Sequence, residues 1–181
     1  MKSEYSFVNK QDYKLGYFQE NVEMVLYTAV CFFIPFFIGH PQLVVGVVVN
    51  SLLVLAGLNL KGYKVLPVII MPSLGVLSKG LLFGPFTIFL VYMVPFIWIG
   101  NAILVYSFKK FYLGKKINRW LTLLIGAVAK SLFLFSATFV LVKSAILPPP
   151  FLVAMGIFQF YTAMMGGVGA LVMQNVKKRL S

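Results

Sequence analysis

One side chain able to do chemistry stands where a charge is least expected. Lys130 lies near the middle of the apolar stretch LTLLIGAVAKSLFLFSATFVLVK, Leu121–Lys143. All four carboxylates, Glu4, Asp12, Glu20 and Glu23, fall in the first 23 residues, so no acid follows that could pair with it in its own part of the chain. An ammonium at mid-bilayer costs at least about 2.5–3.5 kcal/mol to insert, and from that depth its stem is too short to bring it cleanly to either interface. Glu23, at the start of the first apolar segment, is about 10 Å or more from the midplane by helix rise. Three outcomes stay open for Lys130. Amide and backbone oxygens accept its protons, the amine sheds its proton, or an anionic ligand supplies the missing charge.

Other polar residues share that depth. Asn50, Trp98, Asn101, Gln159 and Thr162 each fall in the middle third of an apolar run. In hydrocarbon an unsatisfied donor or acceptor costs several kcal/mol, so this layer is either interhelical bonding or the lining of a site. Several chemistries are excluded. Proton- and sodium-driven carriers generally set Asp or Glu along the ion path, and no apolar run here contains one. There is no phosphate-cradling Gly-rich motif, no carboxylate pair for acid–base work and no HExxH zinc motif. His40, the lone histidine, precedes Pro41 at the boundary of a run and reads as structural, and the single cysteine, Cys31, rules out an internal disulfide framework and multi-cysteine metal sites. The chain is expected to be no enzyme and to need no cofactor or metal.

The elements that must position these residues follow from composition. Of 181 residues 60% are hydrophobic and 11% charged, with a mean hydropathy of +0.92. A soluble domain of this size cannot hide so much apolar surface, and the alternation of a membrane β-barrel is missing. The expected fold is therefore an all-α membrane protein. Apolar runs at 24–39, 42–59, 65–81, 86–108, 120–142 and 151–174 match the roughly 20 residues that a helical span needs. They predict six transmembrane helices in one compact bundle over 24–174, a cytoplasmic N-terminal segment over 1–23 and a basic cytoplasmic tail over 175–181. The segment after Glu23 lacks the flank and cleavage site of a signal peptide and is expected to be retained.

Charge tests the span count independently. With six spans and both termini cytoplasmic, 13 of the 16 basic residues fall on the inner side, the outer side holds Lys79 and Lys143, and Lys130 is left within the membrane. That is the bias of the positive-inside rule. The net charge of +12 thus reflects topology and contact with anionic membrane lipid, with no nucleic acid among the partners. Trp120, Tyr112 and Tyr106 read as interfacial anchors, and Ala163, Gly166, Gly167 and Ala170 provide the small-residue spacing that permits close helix approach, inside the bundle or against a partner.

One stretch carries a family resemblance. Pro72–Ile103, PSLGVLSKGLLFGPFTIFLVYMVPFIWIGNAI, resembles the third and fourth helices of S components, the substrate-binding membrane subunits of energy-coupling factor transporters. The shared pattern is a Gly-punctuated helix, a GLLFGPF-like loop and a P-x-x-x-x-G helix, here Pro95–Gly100. The last run, FQFYTAMMGGVGALVMQNVKKRL, is similar to that family's final helix. The resemblance implies a six-helix subunit that captures a vitamin, its precursor or a metal ion for uptake through the cell membrane of a prokaryote, while Lys130 and two rings lead to the expectation of a vitamin-like or anionic ligand whose anionic group faces Lys130 and stacks on Trp98 or Phe83. A membrane scaffold and separate ATPase subunits would supply the energy. It also implies a ligand site in the outer half built from His40 and Gln42, Lys79 and Phe83, Trp98 and Asn101, Lys130, and Gln159 and Thr162, to which the depth argument adds Asn50. The first outer loop is shorter than the lid many members carry, and helix 1 lacks the family's Ala-x-x-x-Ala docking surface. A metal cargo would call for a His-rich N-terminus, which Met1-Lys2-Ser3 does not begin. The alternative expectation is a structural or assembly subunit of a larger membrane complex with no ligand of its own.

Overall fold

Helices begin and end in this chain where capping and ring chemistry dictate. The computed structural model describes residues 4–38, 41–80 and 87–180, which form helices and, among the described residues, no strand. The long or central elements are α1 (Tyr17–Phe37), α2 (Gln42–Asn59), α3 (Leu66–Lys79), α4 (Thr87–Ser107), α5 (Arg119–Lys143), the short α6 (Pro150–Met155) and α7 (Ile157–Leu180). The Asn118 side chain caps α5 by accepting the Trp120 N–H at 2.8 Å. Pro150 opens α6 at a first-turn position, where its missing N–H costs nothing. Gly80 closes α3 in the left-handed region, φ 64°, a conformation that a side chain would strain.

Among the described residues, five helical stretches are long and apolar enough to cross a membrane: Tyr17–Phe37, Gln42–Asn59, Thr87–Gly114, Arg119–Lys143 and Pro150–Arg179. The chain is a multi-pass membrane protein. The third apolar run departs from the full span expected over 65–81, because Gly80 ends α3 after 14 residues. Boundaries elsewhere also move into the polar flanks. α1 starts at Tyr17 and takes up Glu20 and Glu23, α4 continues as a wide π-helical turn through Phe108–Gly114, and α7 carries the basic residues Lys177–Arg179 in its last turn. Gly156 breaks the final run between α6 and α7; a Cβ there would meet the Leu152 carbonyl at 2.7 Å and the Phe135 ring at 2.9 Å.

Packing explains why the flanks stay helical. At the end of the bundle that carries the N-terminal segment, carboxylates and cations meet across elements: Glu20 with Lys64 at 3.1 Å, Glu23 with Lys177 at 2.5 Å and Asp12 with Lys178 at 2.7 Å. Tyr112, expected as an interfacial anchor, turns its hydroxyl to Asp12 at 2.9 Å. Tyr13 donates to Glu23 at 3.2 Å, and burial, followed by that carboxylate's charge, raises its phenol above the usual range. Lys109 is fully buried and bonds the carbonyls of Lys10 at 2.6 Å and Leu60 at 2.5 Å, which caps the C-terminus of α2 and ties down the N-terminal segment.

α2 is the most buried of the long helices and acts as the hub. Small residues let its neighbours approach. A Cβ on Gly166 of α7 would run into the Val47 carbonyl and lie 2.8 Å from the Ser51 nitrogen; one on Gly57 would lie 2.9 Å from the Val105 carbonyl of α4. Ala163 and Ala170 are fully buried on the same face of α7, so its small-residue stripe serves packing within the chain. The opposite face, Tyr161, Met165, Val168, Val172 and Val176, is exposed at helical spacing, as a lipid-facing stripe must be.

Candidate functional site

Lys130 is 2% exposed and donates to two amide oxygens, Asn50 Oδ1 at 2.6 Å and Asn101 Oδ1 at 2.8 Å. Each amide is held in that orientation by its nitrogen. Asn50 Nδ2 donates to the Gly46 carbonyl at 2.9 Å and to Thr162 Oγ1 at 3.1 Å, and Asn101 Nδ2 donates to the Ile69 carbonyl at 3.0 Å. Thr162 in turn donates to the Gln159 carbonyl at 3.3 Å. One hydrogen-bonded chain therefore runs through α3, α4, α5, α2 and α7. It assembles at mid-depth because α2, α4, α5 and α7 each contribute one polar side chain, α3 contributes the Ile69 carbonyl, and the glycines bring the axes close enough for short side chains to meet.

Beside this chain lies a cavity of about 80 Å³, room for several water molecules. Lys130, Asn50, Asn101, Thr162 and Ser73 supply its polar wall; Val45, Val49, Val76, Leu90, Ile97 and Met155 are among its apolar lining. Gln42 and Leu43, at the start of α2, and Phe158 and Gln159, at the start of α7, form the outer rim. Toward the other end the buried layer Leu53, Leu104, Leu123 and Ala127 lies one helical turn or two beyond the polar chain. Below that layer Asn59 and Gln174 join Asp12 and Glu23 in the second polar cluster.

The expected residues are distributed as follows. Lys130, Asn50, Asn101, Thr162, Gln159 and Gln42 come together around one cavity. The interhelical partner of Lys130 on α4 is Asn101, while Gln159 contributes its backbone carbonyl to the chain and its side chain to the lining. Trp98 does not line the cavity and packs against the large apolar cluster around α2 and α4. It lies about 60° round the helix from Asn101, on the other side from Ile97, and Ile97 takes the place expected for the ring. Its buried indole N–H has no partner among the described residues. His40 and Phe83 lie outside the described residues, as does the side chain of Lys79.

Ser73 is the residue that sequence reasoning passed over. It is 2% exposed, lines the cavity and has a hydroxyl with no partner among the described residues. A polar residue deep in the third run was the available signal, but serine in a membrane helix usually bonds its own backbone one turn back and so says little. No group of three or more His, Cys, Asp or Glu side chains that could hold a metal occurs among the described residues. Compared with models of known protein families, with curated proteins and with solved structures, the chain shows no significant match.

Proposed function

We propose that this chain is the substrate-binding subunit of an uptake system for a small molecule, energised by separate ATPase subunits through a membrane scaffold, and that it is not itself an enzyme. The observation that carries the reading is the cavity that leads from the rim at Gln42 and Gln159 to a buried lysine with no acid in reach among the described residues. An ammonium held only by neutral amides keeps an unbalanced charge, and a ligand entering from the rim would supply the balance. The resemblance of Pro72–Ile103 to S components supports the same assignment.

In this reading the chain crosses the plasma membrane of a prokaryote six times with both termini inside. The turn Gly62–Val65 rises about 2.0 Å per residue and α3 about 1.5 Å, together about 29 Å, close to the thickness of a hydrocarbon core. The short third helix therefore suffices as a crossing. The rim then faces outward and the ion-paired end faces the cytoplasm, in keeping with the distribution of basic residues.

A second reading, an assembly subunit without a ligand, is favoured by one observation: Asn50 and Asn101 already occupy two of the three Lys130 donors. Native mass spectrometry of the detergent-purified protein separates the two. Uptake predicts a small-molecule adduct on the wild type that is absent from Lys130→Met. Assembly predicts partner-subunit masses with no adduct on either protein, and that result would overturn the uptake reading.

A further inference from the structure

Resting on the reading that the cavity takes a ligand, we infer its chemical class: a monocarboxylate whose charged head binds between Lys130 and Ser73 and whose short apolar body lies against the valine- and leucine-lined wall. Three observations carry this.

The first concerns donors. A lysine ammonium has three N–H groups, and two are committed to Asn50 and Asn101, so one is left for the cavity that Lys130 lines. Ser73, 2% exposed and unpartnered among the described residues, supplies a second donor from a different helix. One N–H and one O–H from two walls suit the two oxygens of a carboxylate, each of which accepts more than one hydrogen bond.

The second concerns charge. Among the described residues Lys130 is the single charged one in the lining, and none of the others is Asp, Glu, Arg or His. A cation would meet an uncompensated positive charge, and a phosphate would bring up to two negative charges against one. A monoanion balances the site.

The third concerns shape and polarity. Apart from the two donors, the Asn50 and Asn101 amides that already accept from Lys130, and Thr162, which already accepts from Asn50, the inner wall includes Val45, Val49, Val76, Leu90, Ile97 and Met155. An apolar body buries against it without leaving a polar group unpaired. About 80 Å³ holds a head group and a few carbons, and anything longer must extend to the rim, where Gln42 and Gln159 offer amides.

Isothermal titration of the purified full chain in carboxylate-free buffer tests this, with sodium butyrate and sodium isovalerate as probes. Butyramide, n-butylamine and inorganic phosphate serve as comparators. Butyrate and isovalerate should bind at least about tenfold more tightly than each comparator, and Ser73→Ala should weaken them about tenfold while keeping the wild-type elution profile. Lys130→Met should abolish binding. Should that variant fail to fold, Asn101→Asp, which offers Lys130 an internal carboxylate of nearly the same shape, should abolish it instead. Equal binding of butylamine or phosphate, or unchanged butyrate binding in Ser73→Ala, would overturn the carboxylate assignment. So would failure of the carboxylates to bind when a neutral or cationic adduct co-purifies, which leaves the uptake reading standing. If no probe binds and no adduct co-purifies, both readings fall.

Discussion

The ammonium of Lys130 lies 2.6 Å from the amide oxygen of Asn50, a contact that joins the middle of α5 to the middle of α2 across 80 residues of sequence. Breaking it from either side has different consequences. Lys130→Met leaves two amide oxygens without a donor, at about 1–3 kcal/mol each, but also removes the cost of burying a charge. Asn50→Leu leaves the ammonium buried with one partner fewer, a loss of about 3–5 kcal/mol by analogy with other broken buried pairs. Thermal unfolding in detergent should therefore rank Asn50→Leu as the less stable variant. The reverse order would mean that Lys130 is not carried as a charge.

Asn101→Asp tests charge balance directly. The substitution keeps the oxygen that faces Lys130 at 2.8 Å and makes it anionic, while giving up the bond to the Ile69 carbonyl. An ion pair formed inside the chain competes with any anionic ligand, so the adduct expected on the wild type should be lost from this variant with melting temperature kept within a few degrees. Retention of an anionic adduct would place its head group elsewhere.

Helix approach can be probed at glycines without touching the polar chain. Gly75→Ala would set a Cβ against the Phe32 carbonyl of α1, and Gly166→Ala would set one against the Val47 carbonyl of α2. Backbone cannot give way as a side chain can, and each substitution should cost about 1–3 kcal/mol as overpacking. Gly169→Ala, whose nearest neighbour is the Ser51 hydroxyl at 3.7 Å, should be neutral or slightly stabilising. Melting temperatures of the three variants check the contrast.

Lys109 holds the N-terminal segment to the end of α2 through the carbonyls of Lys10 and Leu60. Lys109→Met removes both bonds and should expose the segment to protease. Trypsin is expected to cleave the variant at Lys14 several-fold faster than the wild type under native conditions, with the helical core still intact. Equal cleavage rates would show that the ion pairs of Glu20, Glu23 and Asp12 hold the segment without Lys109.

Orientation is open to labelling. In a Cys31→Ala background, Ser144→Cys at the end of α5 and Lys116→Cys before its start lie at opposite ends of the bundle. A membrane-impermeant maleimide should label Ser144→Cys on intact cells and Lys116→Cys only after permeabilisation. The opposite pattern would invert the proposed topology and turn the cavity rim inward.

Much of this protein was legible without a structure, and the limits are instructive. The first two apolar runs and the fifth match helices closely at their inner boundaries, since hydropathy is summed along the chain and does not depend on what packs where. The third run is a helix within two residues of its expected bounds, but Gly80 ends it at 14 residues, and the polar flanks misled because their charges are neutralised by partners far away in sequence. Glu20 meets Lys64, Glu23 meets Lys177, and Lys109, counted by sequence as a loop cation, is buried against two carbonyls.

By itself, the sequence determined that the chain enters a membrane as helices, that its acids gather at one end and that Lys130 lies at mid-depth with none of them near. Those are properties of composition and of position along a helix axis, where a rise of about 1.5 Å per residue converts residue number into depth. Only the tertiary structure decided the angular part: that Asn101 and not Gln159 joins Asn50 on Lys130, that Trp98 turns away from the cavity, and that Ser73 turns into it. Rotation about a helix axis is set by which neighbours pack against it and how closely the glycines let them come, and those neighbours are distant in sequence.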